Sequence, residues 1–170
     1  MNASLTAGTF LMTGGDASTA YSKLVDIIEY PDIGSTVDSQ DVTTLSDACH
    51  KYIDALPDPG GSMEFSGWLN ETDYDAVMAI AGTEVNCVIA FGGSPVSGDA
   101  SVLQPDTIKG VPGGELTITA VGTTAATFLA VSFKAKIRIR LTGAGTDAAR
   151  PVSYTVVPTT GYTDQDGHML

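Results

Sequence analysis

Apolar and polar residues alternate along several stretches of the chain. Across residues 63–69, Met63, Phe65, Gly67 and Leu69 alternate with Glu64, Ser66 and Trp68. Successive side chains of a strand point to opposite sheet faces, so this alternation predicts a half-buried strand. Val85, Cys87, Ile89 and Phe91 form a second such face after a turn-like Gly82, and Leu116, Ile118 and Ala120 a third beside Thr117 and Thr119. The longest run takes Val131, Phe133, Ala135, Ile137, Ile139 and Leu141 on one face and Ser132, Lys134, Lys136, Arg138 and Arg140 on the other. Less regular apolar runs at residues 9–12, 23–30 and 152–157 are bounded by Gly or Pro and read as further strands.

One stretch has the helical period instead. Tyr74, Val77, Met78 and Ala81 recur at i, i+3, i+4 and i+7, predicting a short helix over about residues 71–81. Asn70 or Thr72 is placed to accept bonds from the first free amides. Glu71, Asp73 and Asp75 suit the positive N-terminal end of the dipole, and Gly82 suits the stop. A helix this short is marginal alone and is expected to lean its apolar stripe on a sheet. The chain therefore reads as strands, one helix, then strands: a mainly β fold.

Residues 92–106 are rich in Gly, Ser and Pro and read as a loop. Residues 158–170 are polar and weakly patterned, and are expected as a flexible tail after a single domain of residues 1–157. Residues 32–59 are long and acidic, yet carry Val42, Leu45, Tyr52, Ile53 and Leu56 without a steady period. Either a helix around residues 47–56 or an extended arm fits them.

Size and charge narrow the functional classes. At 170 residues the chain has the length of one domain with a real core. Eight basic against twenty acidic residues give a net charge of −12, which argues against a dedicated nucleic-acid grip. The imbalance is lopsided: residues 1–75 hold thirteen acids against Lys23 and Lys51, a net −11, leaving −1 for the rest. The N-terminal residues lack the basic and apolar regions of a signal peptide, and no apolar run approaches the roughly 18 residues of a membrane span.

Candidate chemistry is sparse. Cys49 and Cys87 belong to no CxxC or Cys/His cluster and are expected as free thiols. His50 and His168 stand far apart, so no catalytic or metal pair is expected, and neither a Gly-x-Ser-x-Gly elbow nor a phosphate loop occurs. Residues 143–148 read as a turn rather than a dinucleotide fingerprint. Residues 164–167, Asp-Gln-Asp-Gly, echo a calcium loop without its remaining ligands. The row Lys134, Lys136, Arg138 and Arg140 holds half of the basic residues but has no interleaved aromatics, so it is expected to be neutralised by acids on neighbouring strands or subunits. Trp68, beside the helix start, is read as packing rather than a sugar platform. No enzyme activity, metal or cofactor is expected.

The order of parts across residues 27–80 resembles the pattern of tail tube proteins of long, non-contractile phage tails. These parts are an Ile-Gly linker before an acidic stretch, Asp-Val-Thr-Thr-Leu-Ser-Asp at 41–47, Tyr52 with Ile53, Leu-Pro-Asp-Pro-Gly at 56–60, a strand, and a helix begun by Thr72 and Asp73. The resemblance implies a β-sandwich or partly closed barrel with a flanking helix and a long arm loop. It implies self-assembly into rings that stack into a tail tube, the conduit for genome passage, with DNA passing through without specific binding. Residues 41–56 become an arm against neighbouring subunits, with Val42, Thr43, Thr44, Leu45, Tyr52 and Ile53 in the contact. Implied partners are further copies of the chain together with tail-tip or initiator, tape-measure and terminator proteins. The implied location is the virion tail, assembled in the host bacterial cytoplasm, with no membrane partner. Tube proteins of contractile tails and of type VI secretion share this general fold. An acidic lumen, supplied in part by residues 1–75, would suit a DNA conduit by repelling phosphates. The rival class is a β-sandwich binding module, such as a fibre head or a carbohydrate-binding domain.

Overall fold

The longest alternating run becomes the spine of the molecule. In the computed structural model, which describes residues 9–56, 58–91, 105–120, 129–141, 143 and 150–170, it forms the thirteen-residue strand Leu129–Leu141. The elements in order are β1 (Phe10–Thr13), β2 (Ser22–Asp26), β3 (Ser39–Asp41), β4 (Tyr52–Asp54), β5 (Met63–Trp68), α1 (Glu71–Ile80), β6 (Glu84–Phe91), β7 (Pro105–Lys109), β8 (Thr117–Ala120), β9 (Leu129–Leu141), β10 (Pro151–Pro158) and β11 (Thr163–Asp164). The expected loop at residues 92–106 lies outside the described residues up to 104, and β7 begins at Pro105. Most of the expected turn at residues 143–148 also lies outside them.

The main sheet runs β2-β1-β6-β9-β10-β5, with β11 added on β9, and every pairing is antiparallel. It curls. Just past β2 the Ile28 amide donates to the Ser66 carbonyl of β5 (2.8 Å), and the Ser66 amide donates to Glu29 (3.0 Å). That single bridge brings the two edges together without closing a barrel. The fold is mainly β, a β-sandwich with one short helix, as expected.

Inside the curl, Phe65, Cys87, Ile89, Phe133, Ala135, Ile137, Val152, Tyr154 and Val156 build the principal core. Removing each larger side chain from water contributes about 1.5–3 kcal/mol. A bulge between Leu11 and Met12 shifts the register so that Leu11 faces Val25 and Met12 faces Lys23, and the adjacent Leu24 and Val25 are both buried. Outside the curl, β7 and β8 pair with each other and cover the upper half of the convex face. Phe10, Met12, Tyr21, Val88, Ala90, Ile108, Leu116 and Ala130 form a second core there. Residues 87–90 are therefore buried on both faces, where alternation alone predicted one.

The helix is where its sequence pattern put it, with its stripe rotated. Asn70 is the N-cap, its side chain accepting from the Thr72 amide (2.9 Å) and the Asp73 amide (3.3 Å). Val77 is fully buried, flanked by partly buried Ala76 and Ile80, whereas Met78 is half exposed. Ala81 has already left helical geometry, and Gly82 turns the chain at φ +76°. Asn70→Ala is expected to cost about 1 kcal/mol, read as a lower denaturant midpoint at unchanged m-value.

The expectation of an unconstrained tail at residues 158–170 is corrected. Tyr162 is 1% exposed and stacks edge-on against Phe133 at 5.2 Å. Thr163 pairs with Ser132, and its hydroxyl donates to the Ser132 carbonyl (3.2 Å) and accepts the Gly113 amide (3.0 Å). One aromatic in a polar stretch has no period to reveal it, yet it anchors the whole segment on β9.

Candidate functional site

Residues 36–56 leave the body as a hairpin. Thr36 bridges Asp58, and β3 pairs with β4 in the register Ser39 to Asp54, Gln40 to Ile53 and Asp41 to Tyr52. Of the two forms the sequence left open, the extended arm is the one adopted. β3 and β4 pack chiefly on each other, and all six of their residues are exposed.

The tip between the strands is held by two aspartates. Asp41 accepts the Thr43 amide (2.8 Å) and the Thr43 hydroxyl, with His50 Nδ1 at 3.1 Å. Those donors hold its carboxyl below the usual range, the Thr43 hydroxyl most. Asp47 takes the Lys51 ammonium together with the Thr44 amide (2.8 Å) and hydroxyl (2.9 Å), which lower it likewise. Thr43 and Thr44 thus spend their polar groups inside the loop and shape it. The remaining expected contact residues point outward: Val42 is 41% exposed, Tyr52 60%, Ile53 52% and Leu45 fully so. The pairing sets Val42 and Ile53 on one face of the hairpin, and Asp41, Tyr52 and Asp54 on the other. Leu56, 90% exposed, and Val37, 48%, are further exposed apolar side chains of this segment, although the expected contact set omits them.

The root of the arm is tied to the C-terminal segment. The Tyr162 hydroxyl donates to the Pro59 carbonyl (3.1 Å), and the Ser35 amide donates to the Leu170 carbonyl (3.3 Å).

Below the patch covered by β7 and β8, the convex face of the main sheet carries the basic row of β9. Lys136, Arg138 and Arg140 are exposed and Lys134 is half-buried. Among the described residues, carboxylates meet two of the four: Glu84 stands opposite Lys136, and Glu64 lies 4.0 Å from Arg140. Asn86 faces Lys134 and Thr155 faces Arg138. The expected neutralisation within the chain is therefore partial. Trp68, expected as packing, is 54% exposed on this face of the edge strand β5, because nothing described lies over it.

Two features bear on chemistry. Ligand atoms of Asp164, Asp166 and His168 lie within 4.8 Å of one another, so the structure adds His168 to the two aspartates of the calcium-loop echo. Asp164 accepts the Asp166 amide (3.0 Å) and the His168 amide (2.8 Å), and the second of these lowers its pKa most. The group has the geometry of a turn-closing aspartate, which folds the C-terminus back toward Tyr162. The cysteines are both free: Cys49 is exposed in the arm, and burial pushes the Cys87 thiol up to about 12. A maleimide titration of the native protein is expected to modify one thiol per chain, and two after denaturation.

Among the described residues no helix is long and apolar enough to cross a membrane. Comparison with protein-family models finds no match, and neither does comparison with the curated proteins.

Proposed function

We propose that this protein is a structural subunit that self-assembles into stacked rings, forming the tube of a phage tail through which the genome passes. The observation that carries the reading is the arm. A two-stranded hairpin is at best marginally stable when exposed on both faces. This one displays Val42, Leu45, Tyr52, Ile53 and Leu56 to solvent on a body whose own core is already covered. Such side chains are suited to a surface supplied by a neighbouring molecule. Because identical subunits bring identical arms, head-to-tail contacts that close give a ring. The role is mechanical, with no catalytic step.

Sheet-edge pairing contributes less to this reading than it would for an open sheet, since Ile28 and Glu29 already occupy Ser66 on the outer side of β5. The surplus of acid in residues 1–75 favours a lumen that repels DNA phosphates.

Negative-stain microscopy and sedimentation of concentrated protein, with and without moderate salt to screen acidic self-repulsion, test the proposal. Rings or hollow tubes of uniform width are the expected result. A monomer under every condition overturns it. Exposed Trp68 favours a second reading, a carbohydrate-binding module, for which that monomer would retain a glycan on an array.

A further inference from the structure

Resting on the assembly reading above, we propose that the acidic face of the arm of one molecule seats on the uncovered basic half of the convex sheet face, around β9, of a second molecule. Among the described residues, both surfaces carry an unbalanced charge. Residues 36–58 contain five aspartates against Lys51, a net −4. Among the described residues, the uncovered half-face sets Lys134, Lys136, Arg138 and Arg140 against Glu64 and Glu84, a net +2.

The spacings match as well as the signs. Alternate residues of a strand lie roughly 6.6 Å apart on one face, so the four cations form a row of about 20 Å. On the hairpin, Asp41 is opposite Tyr52, and Asp54 is two residues further along the facing strand. Diagonal neighbours of this kind lie about 7–8 Å apart, close to the repeat of the cations. Tyr52 stands on the same face as these carboxylates, where a guanidinium from the row finds an aromatic surface. The opposite face of the arm, with Val42 and Ile53, is left for another neighbour, so the arm is clasped between subunits.

A nucleic acid is the weaker occupant. Two of the four cations already have carboxylates beside or opposite them, and the chain as a whole carries −12, which repels a polyanion at range. A second copy brings its own acidic arm to the row.

The test uses the full chain. Lys136→Glu with Arg138→Glu alters only exposed side chains, and Asp54→Arg alters a carboxylate that takes no part in holding the arm tip; circular dichroism confirms that each variant is folded. In sedimentation velocity, each variant is expected to weaken self-association at least tenfold, and their combination to recover most of it. Carbodiimide cross-linking of the wild type is expected to join arm aspartates to Lys134 or Lys136 of another molecule. If the wild type associates while the β9 reversals change nothing and cross-links map elsewhere, this docking is overturned and the assembly reading stands. If the wild type remains monomeric throughout, the assembly reading falls, and this docking with it.

Discussion

Removing residues 159–170 is expected to leave the chain unable to hold its native fold at physiological temperature. Tyr162 is fully buried against Phe133, and its hydroxyl also lies 3.2 Å from Met63 Sδ. Losing a large aromatic from a packed core costs about 3–5 kcal/mol. The same truncation exposes Phe133 and strips Ser132, itself fully buried, of its Thr163 partner. Against a total stability on the order of 5–15 kcal/mol, that loss is a large fraction of what is available. Thermal unfolding followed by near-ultraviolet circular dichroism is the measurement. A truncated chain that melts within a few degrees of the full one would show that the C-terminal segment is dispensable. Tyr162→Phe separates the two roles of the residue. It keeps the ring and loses the bond to Pro59, so it is expected to cost only about 1 kcal/mol while loosening the arm at its root.

The second large effect lies in assembly and leaves stability alone. Leu45→Ser with Ile53→Ser removes two exposed apolar side chains from the arm. Neither substitution touches a buried group, so the monomer is expected to keep its unfolding free energy to within about 0.5 kcal/mol for each. If both side chains become buried between subunits, each contributes about 1.5–3 kcal/mol to the contact. Self-association is then expected to weaken by at least about a hundredfold, since roughly 1.4 kcal/mol corresponds to each tenfold. Unchanged rings or tubes from this variant would remove the arm from the interface. A fall in both stability and assembly would place these residues in the core of the single molecule instead.

These two expectations point in opposite directions from what polarity alone suggests. A polar C-terminal stretch is integral to the core, and an apolar-studded segment stands in solvent. Periodicity explains the difference. Phe133, Ala135 and Ile137 recur every second residue, and so do Met63, Phe65 and Gly67, so alternation alone marks their buried faces. Asn70, the acidic first turn and Gly82 marked the helix in the same local way. Tyr162 recurs with nothing. The arm residues have no steady period, which left both a helix and an extended arm open. That these residues share one segment was legible, but their arrangement within it was not: Thr43 and Thr44 shape the tip, while Val42 and Ile53 share a face opposite Tyr52.

The acid chemistry of the small turns is local too. Asp16 accepts the Ser18 amide (2.7 Å) and the Thr19 amide (2.6 Å), with Thr19 the larger cause of a pKa lowered to about 2. A carboxyl depressed on folding contributes stability that is complete above its unfolded pKa near 4 and is lost as pH falls toward 2. Since Asp16 is fully exposed, its part in acid unfolding is small.

What the sequence determined by itself was seven of the strands, β1, β2, β5, β6, β8, β9 and β10, the one helix with its cap, and the inward face of β5 and β9, because each follows from neighbours a few residues apart. Only the tertiary structure decided which faces acquire a second cover. Val88 and Ala90 are buried because β7 and β8 fold over them, Lys136 and Arg138 stay exposed because that cover ends, and Tyr162 is buried because the chain returns to β9. A residue's environment depends on elements far away in sequence, and alternation along one strand carries no record of them.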